Sequence, residues 1–146
     1  MHFNVTPYPT ARWTAQQVVE AFPFDEAPRF LIRDHYCIYG QDFRERIRYM
    51  GIEEVIIAYR SPWQSPYVER LIGSIRRECL DHVIVFSEGH LRRILRSYFA
   101  YYHEARTHLS LDRNAPVPRE VEPPTMGKVI AIPQVGGLHH RYTRAA

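Results

Sequence analysis

The sequence predicts an α/β fold built around a parallel sheet, and three observations lead there. Phe30-Leu31-Ile32 and Glu54-Val-Ile-Ile-Ala58 are short continuous apolar runs, the pattern of parallel strands covered on both faces. Between them Phe43, Ile47 and Met50 recur at helical spacing in an otherwise charged stretch. Strand, helix and strand with short connections make a βαβ unit, whose two strands must run parallel.

Taken in order, His2-Phe-Asn-Val-Thr6 alternates and is expected to form a short strand, ended by Pro7 and Pro9. Thr14 is expected to cap a helix reaching about Ala21, with Val18, Val19 and Phe22 on its buried side. Pro23 and Pro28 bracket a loop holding Asp25 and Glu26. The run at 30–32 is expected as a buried strand, passing into Arg33-Asp34 and a turn-like segment that ends at Gly40. The next helix, Gln41 to Met50, stops at Gly51, and the second buried strand follows.

A loop bounded by Pro62 and Pro66 then enters a helix whose Val68, Leu71, Ile72, Ile75 and Cys79 form one apolar stripe. Ser87 caps a further helix with Glu88 in its first turn. Leu91, Ile94, Leu95, Tyr98, Tyr102 and Ala105 are its core stripe, and Arg92, Arg93 and Arg96 fall on a solvated side. Beyond Arg106 the chain becomes a proline-rich connector. Lys128–Ile132 and Leu138–Tyr142, on either side of Gly136-Gly137, predict a small β extension. The expected division is therefore 1–120 and 121–146.

Length and composition bound the function. A chain of 146 residues with 45% hydrophobic content fits a soluble globular protein with a real core. No apolar run approaches a membrane span and the N-terminus reads as no signal peptide, so the expected location is cytoplasmic, away from membranes. Cys37 and Cys79 are expected to be free thiols. The net charge of +3 is mild, but Lys128 is the only lysine and the other eighteen basic residues are arginines. Arginine suits bidentate phosphate contacts, and a GC-rich genome produces the same bias. Charge alone permits a nucleic-acid partner.

Two acids stand out. Asp34 follows a predicted parallel strand at the end where open α/β sheets place ligands. Glu69 lies thirty-five positions on, in the first turn of the helix after the next strand, with Gly73 and Arg76 further up its side. Two carboxylates converging there would suit Mg²⁺, a hard cation that keeps waters for exchange. The same helix also reads as an ordinary amphipathic surface element with solvated charges.

Phe-Leu-Ile-Arg-Asp34, the spacing to Glu69, Ser61-Pro-Trp-Gln-Ser-Pro-Tyr-Val-Glu-Arg-Leu-Ile-Gly-Ser-Ile-Arg-Arg-Glu-Cys79, and Tyr101-Tyr-His-Glu-Ala-Arg-Thr-His-Leu-Ser-Leu111 together resemble a known family. It is the DDE-type (rve-like) integrase catalytic core of bacterial insertion-sequence transposases, related to retroviral integrases. The resemblance runs from about Thr14 to Glu120. It implies an RNase H-like mixed sheet with flanking helices, DNA integration and transposition as the activity, and Mg²⁺ or Mn²⁺ held by two aspartates and a glutamate. By that match Asp34 is the second acid and Glu69 the third, both catalytic and metal-binding. Arg76, with Arg70 and Arg77, takes the place of the family's basic DNA contacts. Trp63, Gln64 and Tyr67 border the active site, and Gly73 lets DNA approach. The implied partners are DNA, at element ends and target, and a homo-oligomer or a full-length transposase.

The first aspartate is missing from its expected strand. Only Asp25 precedes Asp34, and it stands in a loop, so His2–Thr6 is read as the end of the family's third strand and the core as lacking its first strands. Two acids alone would bind metal weakly, and the function is expected to be incomplete in this chain, or reduced to that of a catalytically inactive remnant binding DNA or transposase. Among the remaining residues, His103 and His108 are read as structural, His139-His140 as a surface pair, and Cys79 and Tyr98, Tyr101 and Tyr102 as core.

Overall fold

The computed structural model describes residues 1–23 and 27–145, so Asp25 and Glu26 lie outside the described residues. The protein is mixed α/β and divides into two compact units, Met1–Gly73 and Ser74–Ala146. None of the described helices is long and apolar enough to cross a membrane.

In the first unit, helix α1 (Ala11–Ala21) begins one turn earlier than expected. Thr10 takes the extended conformation a cap requires, and its hydroxyl accepts from the Trp13 N–H at 3.2 Å. Thr14 sits inside the helix, donating its hydroxyl to the Thr10 carbonyl at 2.9 Å. His2–Thr6 is not a strand. Asn4 accepts from the Val5 N–H at 2.8 Å and donates to Gln17 at 3.0 Å, and such local bonds compete with strand pairing.

The βαβ unit is present. Strands β1 (Phe30–Arg33) and β2 (Glu53–Ile56) pair in parallel, Phe30 beside Glu53 and Arg33 beside Ile56. Between them α2 (Gln41–Tyr49) buries Phe43 and Ile47, which join Ala15 of α1 and Ile52 in one core cluster. Gly51 ends the helix as the sequence predicts, at φ 71°. Its N–H bonds the Arg48 carbonyl at 3.0 Å and the Ile52 N–H bonds that of Ile47 at 2.9 Å, a Schellman end that draws Ile52 onto the core.

The expected burial of both strands is wrong. Leu31 packs on the Phe43 cluster, but Phe30, Ile32, Val55 and Ile56 are exposed, Ile32 by 55%. Runs of apolar residues are buried on both faces only where helices cover both, and this ribbon has its core on one. The next helix, α3 (Pro66–Glu78), shows a similar departure. Its apolar stripe is half-buried at Leu71 and Ile75 and fully buried at Cys79, while Val68 and Ile72 face outward.

The second unit holds α4 (Glu88–Glu104), capped as expected by the Ser87 hydroxyl accepting from the His90 N–H at 3.1 Å. Tyr98 is fully buried and Phe99 nearly so. The expected β extension is an antiparallel hairpin of β3 (Lys128–Gln134) and β4 (His139–Ala145), turning through Gly136 and Gly137 at positive φ. His139 is not a surface residue: its ring stacks on Tyr101 with centroids 4.4 Å apart, and Nε2 meets the Glu78 carbonyl at 2.7 Å. Its neighbour His140 is exposed.

Candidate active site

Asp34 stands where β1 ends, and Glu69 in the first turn of α3. Both line one cleft of about 570 Å³, which lies wholly within the first unit. Its floor is apolar, from Ile32, Ile57, Val68 and Ile72, so the outward-facing residues of strand and helix are the walls of a cavity. Among the described residues Asp34 and Glu69 are the carboxylates that line it.

The Asp34 carboxylate is oriented from its own turn, Oδ1 accepting the Tyr36 N–H at 3.0 Å. Beside it the Tyr39 hydroxyl has its pKa pushed up, chiefly by burial and then by the Asp34 charge, with Arg33 opposing. The rim carries a flat stack of His35 on Tyr59, centroids 3.7 Å apart and planes 9° from parallel. The loop from β2 to α3 is pinned by Gln64, whose Oε1 accepts the Ala58 N–H at 2.7 Å, and by the Ser61 hydroxyl donating to the Tyr59 carbonyl at 3.1 Å. Gln64 therefore has one oxygen committed to the loop. Trp63 and Tyr67 on the same loop and helix start are 70% and 85% exposed, an unusual cost for large apolar rings unless something covers them.

The arginines of α3 are exposed. Arg76 reaches Asp81 at 3.5 Å in an ion pair open to solvent, which stabilises little. Arg70 and Arg77 also face solvent, and Gly73 is half-buried.

Residues 50–116 match the integrase core domain family. That stretch, just under half of the chain, is similar to an integrase core. The matched stretch takes in Glu69, the loop before it, the arginines of α3 and the Tyr-His-Arg segment, and it leaves Asp34 outside. No curated protein matches the chain.

Integrase cores as a family are metal-dependent, and the donor set can be tested against that. The described residues contain no cluster of three or more His, Cys, Asp or Glu side chains able to hold a metal. Two carboxylates in one cleft do fit Mg²⁺, which is commonly held by one or two carboxylates, waters and the phosphates of its substrate.

Sequence reasoning missed Arg33. It is 6% exposed, its Nε bonds the Glu54 carboxylate on β2, and Nη1 donates to the Asp34 carbonyl at 2.6 Å. The pairing follows only once the register is known: parallel register puts Leu31 beside Glu54, and alternation then places Arg33 and Glu54 on one face.

It also missed Glu78. Arg106 grips this carboxylate with two bonds of 2.7 and 2.6 Å, and the Tyr98 hydroxyl donates to it at 2.9 Å. The Arg106 bond holds its pKa below the usual carboxylate range, against the opposing pull of burial. These partners lie 20 to 28 positions away and follow no local pattern.

Proposed function

We propose that this chain is the catalytic-core part of a DNA integrase or transposase with an RNase H-like architecture, acting on DNA in the cytoplasm. The observation that carries the proposal is the convergence of Asp34 and Glu69 on one cleft, at the helix the integrase family match covers. The core would extend to about residue 120, with 121–146 as connector and β extension.

In this reading Asp34 and Glu69 hold Mg²⁺ or Mn²⁺. When bound, the metal polarises the phosphodiester and activates the attacking water or DNA 3′-hydroxyl. The chain's own residues do the rest. The turn at Asp34 and the first turn of α3 fix the two carboxylates. Trp63 and Tyr67 offer open rings against which bases or sugars stack. Arg70, Arg76 and Arg77 take phosphate oxygens, a sequence-independent attraction that weakens with salt.

Two carboxylates hold a metal less firmly than three, so strand transfer is proposed to need a further acid beyond the two that line this cleft among the described residues. That two carboxylates line the cleft among the described residues also favours a second reading, in which the chain is an inactive remnant that binds DNA or transposase.

Fluorescence anisotropy on a labelled DNA duplex separates them. Binding should weaken at least tenfold between about 50 and 200 mM salt. Under the first reading Mg²⁺ tightens it, and Asp34→Asn or Glu69→Gln removes that gain. Under the second, Glu69→Gln changes nothing with or without Mg²⁺. Arg76→Ala should weaken binding and lower the salt slope by about one in both cases. Absence of any DNA binding at low salt sinks both readings, and robust strand transfer by the purified chain alone overturns the need for a further acid.

A further inference from the structure

Arg33 is the least expected group in the first unit. A guanidinium this buried carries a desolvation cost that its contacts must offset. Two of its nitrogens are engaged: Nε with the Glu54 carboxylate on the neighbouring strand, and Nη1 with the carbonyl of Asp34 at 2.6 Å. The Tyr39 ring lies under its Cζ, 5.1 Å from the centroid. Nη2 is buried without an acceptor among the described residues. A buried donor without an acceptor is destabilising, so the side chain is not placed to satisfy itself. What it satisfies is the backbone at the point where β1 gives way to the turn of Asp34.

We infer that Arg33 is a positioning residue for Asp34: anchored to β2 through Glu54, it fixes the carbonyl of Asp34 and so the direction in which that carboxylate enters the cleft. The inference rests on the reading of Asp34 as a metal-holding acid. Geometry makes the role specific to arginine. Only a planar fork presents one N–H to a carboxylate and another to a carbonyl one residue away, while a lysine offers a single nitrogen on a flexible stem. Groups behind a ligand matter in this way because metal affinity falls steeply when ligands lose their orientation.

The test is Mn²⁺ binding to the full chain, followed by electron paramagnetic resonance of free Mn²⁺, with thermal unfolding measured in parallel. Arg33→Lys should raise the Mn²⁺ dissociation constant roughly 10- to 100-fold, the range typical of outer-shell groups, while the protein remains folded at the temperature of the titration. Glu54→Gln, which keeps Arg33 and removes its charged anchor, should produce a smaller rise in the same direction; it carries the test if Arg33→Lys fails to fold. Unchanged Mn²⁺ affinity in a folded variant overturns the positioning role. Asp34→Asn separates the two levels. If it abolishes Mn²⁺ binding while Arg33→Lys and Glu54→Gln leave it intact, only the positioning role falls. If Asp34→Asn has no effect, the metal site falls and the positioning role with it.

Discussion

The two units use the same residue types to opposite ends. In the second, the Glu78 carboxylate accepts three bonds, two from Arg106 and one from the Tyr98 hydroxyl, while its backbone carbonyl accepts one from His139. In the first, the Asp34 carboxylate accepts one backbone N–H, and that of Glu69 has no bond among the described residues, although both line a cleft. A carboxylate whose acceptor sites are filled is part of the fold. One whose sites are open, at the end of a strand or the start of a helix, has capacity left for a cation. The units differ likewise in what supports them. The first has an apolar cluster of Ala15, Phe43, Ile47 and Ile52, whereas at the centre of the second buried Tyr98 is tied to the pair of Glu78 and Arg106.

Phe43→Ala should be the most damaging change, costing about 3–5 kcal/mol because a ring buried on every side leaves a cavity. Chemical denaturation followed by circular dichroism measures it, and a loss under about 1 kcal/mol would mean the site collapses around the gap.

Arg106→Ala comes next, at roughly 2–4 kcal/mol, since it strands a half-buried carboxylate. If it costs as little as a surface ion pair, the second unit does not depend on this centre.

The same pair sets a pH dependence. The Glu78 pKa is lowered in the folded protein, so the ionised form is favoured by folding. Its contribution is therefore complete above the ordinary carboxylate value of 4.5 and is lost as pH falls toward and through the folded value. Thermal melts across that acid range should show the loss, and Glu78→Gln should flatten the curve while lowering it at neutral pH.

The smallest effect is expected at the two acids proposed to hold the metal. Asp34→Asn and Glu69→Gln should each move stability by no more than about 0.5 kcal/mol, because neither removes a saturated network. A large loss at either would recast that residue as structural.

Much of this organisation was legible in the residues. Gly51 after an Ile47–Met50 periodicity fixed a helix end, and the two apolar runs flanking that helix gave parallel strands. The burial of those strands was not legible. It depends on what covers the second face, and Phe30, Ile32 and Val55 read the same whether a helix lies over them or not. The cap failed for a local reason: Thr10 and Thr14 sit one turn apart, both able to cap, and the choice turns on which takes the extended conformation. At the site, Asp34 and Glu69 were expected together from their spacing and the resemblance, and both line one cleft. Arg33 with Glu54 and Glu78 with Arg106 could not be paired by any local rule, because the matching requires the strand register in one case and the tertiary fold in the other.

The complete burial of Cys79 has a practical consequence. Cys37 is exposed, whereas the Cys79 thiol is sealed off and its pKa is pushed up by burial. A thiol reagent should therefore modify the protein in two phases, an immediate one at Cys37 and a slow one that waits for Cys79 to be uncovered. The slow phase tracks how often that part of the chain opens, at equilibrium and without denaturant. The protein thus carries an internal clock for its own breathing, already installed and needing no added label site.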